Sequence, residues 1–217
     1  DGRLLTRHPF WPDAPPLSAH IPMILGNTLD ETRTLIGGRE PEMFTVFASP
    51  DPRRVAEAWR LASSRDDAVV WRTPWSWAVA DREAVRRQAP DGATTAVGQA
   101  RLRHPGGRPA AGGADLAYLV SRAAAAAASA IDVDGTFAFA ELDARQRRLR
   151  AFRDAFGIRP LYWTTDDAGA IWISDDLESL APGRRLDRRF AAEFIARGQG
   201  DARRTVWEGV AQVPPGG

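Results

Sequence analysis

The residues able to do chemistry are few and scattered. The chain contains no cysteine, so a thiol nucleophile, a disulfide and a zinc–thiolate site are all excluded. Its three histidines, His8, His20 and His104, lack metal-ligand spacing and read as surface residues. No GxSxG nucleophile elbow occurs, and no glycine-rich phosphate loop opens a helix. Asp132-Val133-Asp134-Gly135 begins like a calcium loop, but the later ligands and the closing glutamate are missing. Two carboxylates stand at helix-start positions: Glu31, after the apolar run Ile21–Leu25, and Asp115, after Gly113-Ala114. A carboxylate there caps free amides or balances the helix dipole, so neither one alone implies catalysis. Trp71, Trp75 and Trp77 could stack a ligand or fill an interior. The arginine-rich runs Arg145 to Arg150 and Arg184 to Arg189 could hold phosphate or form solvated turns.

Composition sets wider bounds. Of the 217 residues, 44% are apolar and 26% charged, ordinary values for a globular chain with room for a core. The formal net charge is +1, which calls for neither nucleic acid nor an anionic membrane as partner. All 29 basic residues are arginine, a bias of composition rather than a binding surface. No apolar run approaches the ~18 residues of a membrane span and no signal peptide is visible, so a cytoplasmic location is the expectation. The chain begins at Asp1, and its natural start is expected upstream or removed.

The elements that must position these residues change character near residue 43. Five prolines between Leu5 and Pro22 disfavour helix, and Ile21–Leu25 is expected to be a short strand. From Met43 onward, short strands alternate with helices. Strands are expected at Phe44–Ala48, Asp67–Trp71, Trp75–Ala80, Thr94–Leu102, Thr136–Leu142, Leu149–Arg153, Leu161–Thr164 and Ala170–Ser174. Helices are expected at Pro52 to Ser63, with Val55, Ala58, Trp59 and Ala62 on one face, and at Asp81–Gln88, Asp115–Ala130, Asp176–Ala181 and Asp187–Gly198. Strand-dominated with flanking helices, the class is α+β.

Three ordered motifs carry a resemblance. They are Asp134-Gly135-Thr136-Phe137-Ala138-Phe139-Ala140, then Arg153-Asp154-Ala155-Phe156-Gly157-Ile158-Arg159-Pro160-Leu161-Tyr162-Trp163, then Ile173-Ser174-Asp175-Asp176-Leu177-Glu178-Ser179-Leu180. Thr205 to Val210 and Val213-Pro214-Pro215-Gly216 continue the series. It resembles the class II glutamine amidotransferase domain of asparagine synthetase-like enzymes, an N-terminal-nucleophile (Ntn) hydrolase fold. The resemblance implies an αββα sandwich of two antiparallel sheets over 43–217, and it implies site positions. Met43-Phe44 falls where that family has its initiator methionine and nucleophilic cysteine, whose free amine acts as base. Asp115 falls where an aspartate holds the amino group of glutamine, and Ser76-Trp77 fall on the Asn-Gly pair that binds the oxyanion. Residues 1–42 resemble a type B carboxylesterase fragment through Ile21-Pro22-Met23-Ile24-Leu25-Gly26 and Asp30-Glu31, which implies a triad acid at Glu31 with no serine to serve.

The expected protein is therefore an extended appendage over 1–42 followed by a degenerate amidotransferase-type domain over 43–217. No catalytic residue is expected in the chain; Asp115, Ser76 and Trp77 would form a vestigial glutamine pocket. ATP and magnesium would be needed only by a downstream amide-forming synthetase domain or subunit, as in β-lactam synthetases or lasso-peptide cyclases. Two alternatives stand beside this one: a carboxylesterase fragment with an incidental second half, and a small amino-acid-binding module.

Overall fold

The computed structural model describes residues 43–62, 68–80, 85–88, 92–103, 114–125, 133–198 and 200–217. Glu31, the expected strand Ile21–Leu25 and the esterase-like segment lie outside them. The chain divides into two units, Asp1–Glu40 and Pro41–Gly217, and all the described residues belong to the second. Its strands are β1 (Phe44–Ala48), β2 (Ala68–Arg72), β3 (Ser76–Ala80), β4 (Val85–Gln88), β5 (Thr94–Leu102), β6 (Gly135–Asp143), β7 (Arg148–Arg153), β8 (Tyr162–Thr165), β9 (Ile171–Ser174) and β10 (Val210–Gln212). Its helices are α1 (Pro52–Ala62), α2 (Ala114–Ala125) and α3 (Arg188–Arg197). No described helix is long and apolar enough to cross a membrane.

The strands form a six-stranded sheet in the order β10-β8-β9-β1-β3-β2 and a four-stranded sheet in the order β4-β5-β6-β7. Every pairing is antiparallel. Side chains alternate across each strand, and three apolar layers result from that period of two. Phe44, Val46, Ala78 and Ile173 of the larger sheet meet Val97, Ala138, Ala140 and Leu142 of the smaller one in the central core. On the outer face of the larger sheet, Phe47, Trp77 and Val79 pack against Val55 and Ala58 of α1, with Trp59, Ala62 and Trp172 alongside. On the outer face of the smaller sheet, Phe137, Phe139 and Phe152 pack against Leu116, Leu119, Val120 and Ala123 of α2. The result is the expected α+β sandwich of two antiparallel sheets between helices.

Local expectation and structure part company in two places. The segment expected as a helix over Asp81–Gln88 holds strand β4, paired with β5 from Val85↔Gly98 to Gln88↔Thr95. A nine-residue β5 offers a long row of backbone groups, and pairing with them outweighs the weak helical preference of four residues. The helix expected over Asp176–Ala181 is a single 3₁₀ turn, Glu178–Leu180. The Asp176 carboxylate accepts from Glu178 N and Ser179 N at its start, and Pro182 stops it one residue past Ala181. The tryptophans pack in the interior, one of their two readings: Trp71 and Trp75 belong with the central core, while Trp77 faces α1 on the other side of the sheet. A register shift between Val69 and Trp71 turns Val70 and Trp71 both toward the central core.

Two ion pairs brace the outer layers. Glu141 lies on the Phe137–Phe139 side of β6, nearly fully buried, where its Oε1 accepts from Arg150 Nε at 3.0 Å and Nη2 at 2.5 Å. On the opposite side of the sandwich, Arg54 of α1 donates through both terminal nitrogens to Asp166 in the β8–β9 turn. Asp166 Oδ1 also accepts from Ala168 N and Ala170 N, each at 3.0 Å, so one carboxylate shapes the turn and fastens α1 to it.

Substitution at Gly98 tests how closely β5 and β6 approach. Gly98 has φ +154°, and a Cβ there would sit 2.3 Å from Ala138 O and 2.4 Å from the Phe139 Cβ. Gly98→Ala should therefore destabilise by about 3 kcal/mol or more, read as a lower urea midpoint at unchanged slope. Acid tests the fastening of α1. The hydrogen bond from Arg54, with lesser help from the turn amides, lowers the Asp166 pKa to about 2 from 3.8. A depressed carboxyl stabilises the fold fully above its unfolded value and loses that contribution as pH falls through its folded value. The melting-temperature gap between the protein and Asp166→Asn should be present at pH 6 and shrink between about pH 4 and pH 2.

Candidate functional site

The resemblance places the nucleophile position at Phe44, and the structure holds that residue firmly. Its ring is 1% exposed, packed among Val46, Ala78 and Ala140 in the central core. Its main-chain N–H donates to Asp175 Oδ1 at 2.8 Å, and its carbonyl accepts from the Ser174 hydroxyl at 3.0 Å. The second Asp175 oxygen accepts from Gln99 Nε2 at 3.1 Å, which ties the end of β9 to β5 across the sandwich. Sequence reasoning assigns no site role to Asp175 or Gln99. The one available signal is Gln99 itself, a polar residue on the same side of β5 as the core residue Val97. Among the described residues no group of three or more His, Asp or Glu could hold a metal.

Asp115 lies near this end. It sits in the first turn of α2, 4% exposed, and its Oδ2 accepts from Leu102 N at 2.8 Å. α2 starts at Ala114, so Asp115 is inside the helix, and its carboxylate reaches across to the end of β5. Leu102 is three residues beyond Gln99, about 10 Å along the strand at the usual rise.

Ser76 and Trp77 lie elsewhere. Register pairs Phe44 with Ala80 and Ala48 with Ser76, so Ser76 is four steps, about 13 Å, from the Phe44 pair. Its hydroxyl is 2.9 Å from Thr73 Oγ1, and its N–H donates to the same oxygen at 3.0 Å, a tight turn opening β3. Trp77 points to the opposite face, where its ring meets Phe47, Trp59 and Trp172. The structure thus brings Asp115 and Phe44 to one end of the sandwich and does not bring Ser76 and Trp77 to them. Residues 81–84, which come after Ala80, lie outside the described residues.

The strongest motif of the sequence, Arg153 to Trp163, is a clamp on main-chain groups. Asp154 is fully buried, and its carboxylate accepts from Phe156 N, Ile158 N and Arg159 N at 3.0–3.1 Å, and from Phe137 N at 3.4 Å. The Arg153 guanidinium donates to the carbonyls of Gly157, Arg159 and Val213 at 2.6, 2.6 and 2.9 Å, and to Gln212 Oε1 at 2.7 Å. Burial lowers the Arg153 pKa, and the ring of carbonyl dipoles compensates the retained charge. Main-chain bonds close the unit: Arg153 N donates to Gly217 O and Gly216 N to Asp154 O. Gly157 has φ +64°, which favours glycine, and a Cβ there would press on the Arg153 guanidinium and Pro215 at 3.0 Å.

Loss of this carboxylate would leave buried N–H groups without acceptors. Asp154→Ala should cost about 3 kcal/mol in chemical denaturation, whereas Asp201→Ala, at an exposed turn, should cost below about 1 kcal/mol.

Comparison with known proteins bears on the second half of the chain. Residues 118–217 match the glutamine amidotransferase domain family. Part of the chain, 50 residues, is 48% identical to the asparagine synthetase [glutamine-hydrolyzing] of Triphysaria versicolor, covering 22% of this chain and 8% of that protein. Over 51 residues it is 45% identical to asparagine synthetase [glutamine-hydrolyzing] 2 of Oryza sativa subsp. japonica, covering 23% and 8%. The Arabidopsis thaliana protein 3 of the same name is 43% identical over 51 residues, covering 23% and 8%. The matched stretch thus spans less than a tenth of these relatives. The family match begins at Tyr118 and gives no support to the esterase resemblance of residues 1–42. It takes in β6 to β10, the Arg153–Asp154 clamp and Asp175, so the second half of the chain is similar to a glutamine amidotransferase domain, with asparagine synthetases among its relatives.

Proposed function

We propose that this chain is a glutamine amidotransferase-like domain without glutaminase chemistry, supporting an ATP-dependent amide-forming partner domain. One observation carries the reading. At the position of the expected nucleophile stands Phe44, whose ring is buried in the central core and has no nucleophilic atom. Its nitrogen is a peptide amide, bonded to Asp175, and cannot act as the base that a free amine would be. Glutamine hydrolysis needs nucleophile, base and oxyanion donors within hydrogen-bond reach of one carbonyl. Ser76 and Trp77, the expected oxyanion pair, are about 13 Å and about 10 Å along the strand from Phe44.

What remains is a sandwich whose buried Arg153–Asp154 pair is directed to its own main chain, which suits a supporting role. In this reading ATP and magnesium belong to the partner domain, and the protein works in the cytoplasm. The similarity to asparagine synthetases supports the choice of an amide-forming partner.

The test is ammonia release from glutamine by the purified chain and by Asp115→Ala. No release above the uncatalysed background is expected from either. Release by the chain that disappears in Asp115→Ala would overturn the reading.

A further inference from the structure

At the end of the sandwich opposite Phe44, the two sheets part around a cleft of about 360 Å³. Ser49, Trp75, Arg147, Leu149, Gly169 and Ile171 line it. Its volume falls within the range of small-molecule sites. Trp75, Leu149 and Ile171 pack against the central core on one side and leave their partly exposed sides to the cleft. The walls are thus apolar and held in place by the core behind them.

Two polar groups stand at the rim. Ser49 is 3% exposed, and its Oγ accepts from Asp51 N at 3.2 Å, which leaves the hydroxyl proton to donate. Arg147 is exposed at the tip of the β6–β7 turn and makes no ion pair among the described residues. Two of the carboxylates near it in the chain or at the cleft are engaged elsewhere, while Asp167 is exposed in the β8–β9 turn. Asp143 accepts from Arg145 N and Gln146 N and pairs with Arg148, and Asp166 pairs with Arg54.

The backbone at Arg147 is itself unusual. Its φ is +51°, and it is the one described non-glycine residue with positive φ. Glycine takes that conformation without the steric conflict a Cβ brings, and the turn itself needs only glycine there. Arg147 lines the cleft, so a long cation stands at its rim in a backbone conformation that favours glycine.

We propose that this cleft binds a small amphipathic carboxylic acid, its apolar body between Trp75, Leu149 and Ile171 and its carboxylate on the Arg147 guanidinium. Such a site lies about 13 Å along β1 from Phe44 and is separate from the glutamine position.

The probe is 4-phenylbutyrate, with its uncharged amide as control, titrated calorimetrically and monitored by the indole N–H resonance that disappears in Trp75→Phe. The acid should bind at about millimolar concentration and move that resonance. The amide, and the acid with Arg147→Gln, should each bind about fivefold more weakly. Arg147→Gly should raise the melting temperature while weakening the acid by the same factor, because strain and ligand contact reside in one residue. No binding by about 10-fold above that concentration, equal affinity for acid and amide, or unchanged affinity in Arg147→Gly would each overturn the proposal.

Discussion

Two adjacent buried charges organise the second half of this domain. Arg153 and Asp154 leave β7 side by side, and each turns its charge to the main chain rather than to the other. Asp154 gathers four N–H groups, three from the loop after it and one from Phe137, while Arg153 gathers three carbonyls and one side-chain amide. The loop from Ala155 to Pro160 is too short for regular structure, and its backbone groups would otherwise lack partners. By satisfying them, the pair fixes the direction in which the chain crosses from the smaller sheet to β8 of the larger one. It also holds Gln212 to Gly217 against the same loop.

The other coupling between the sheets is at Asp175. It takes one hydrogen bond from Phe44 at the start of β1 and one from Gln99 in β5, so it closes the sandwich at the end where the resemblance expects catalysis. An apolar ring and a peptide amide stand at the position where the resemblance implies a thiol and a free amine. The ring at that position contributes packing: a buried phenylalanine contributes on the order of 2 kcal/mol or more to a core. Phe44 is part of the interior.

The cleft at the other end has the opposite character. There the side chains are partly exposed, the cation makes no ion pair among the described residues, and the backbone is strained at Arg147. One end of the sandwich is committed to stability, and the other retains groups whose interactions with this fold are incomplete.

Much of this was legible in the sequence because it is local. The alternation of Phe137 and Phe139 (less cleanly Glu141) in Thr136–Leu142, the amphipathic face Val55-Ala58-Trp59-Ala62 and the absence of cysteine come from residue type and spacing alone. The sequence also determined that no thiol chemistry is possible, since that depends on atoms and not on their arrangement. Only the tertiary structure decided the rest. β4 is a strand because β5 was there to pair with it, and Trp71 and Trp77 parted company because strand alternation and a register shift put them on opposite faces. Ser76 and Asp115 lie apart because register sets Ser76 opposite Ala48, while Asp115 reaches Leu102 across a sheet edge. Which distant residues share an end of the sandwich depends on strand order and register, and these come from the sum of long-range pairings rather than from any local run of residues.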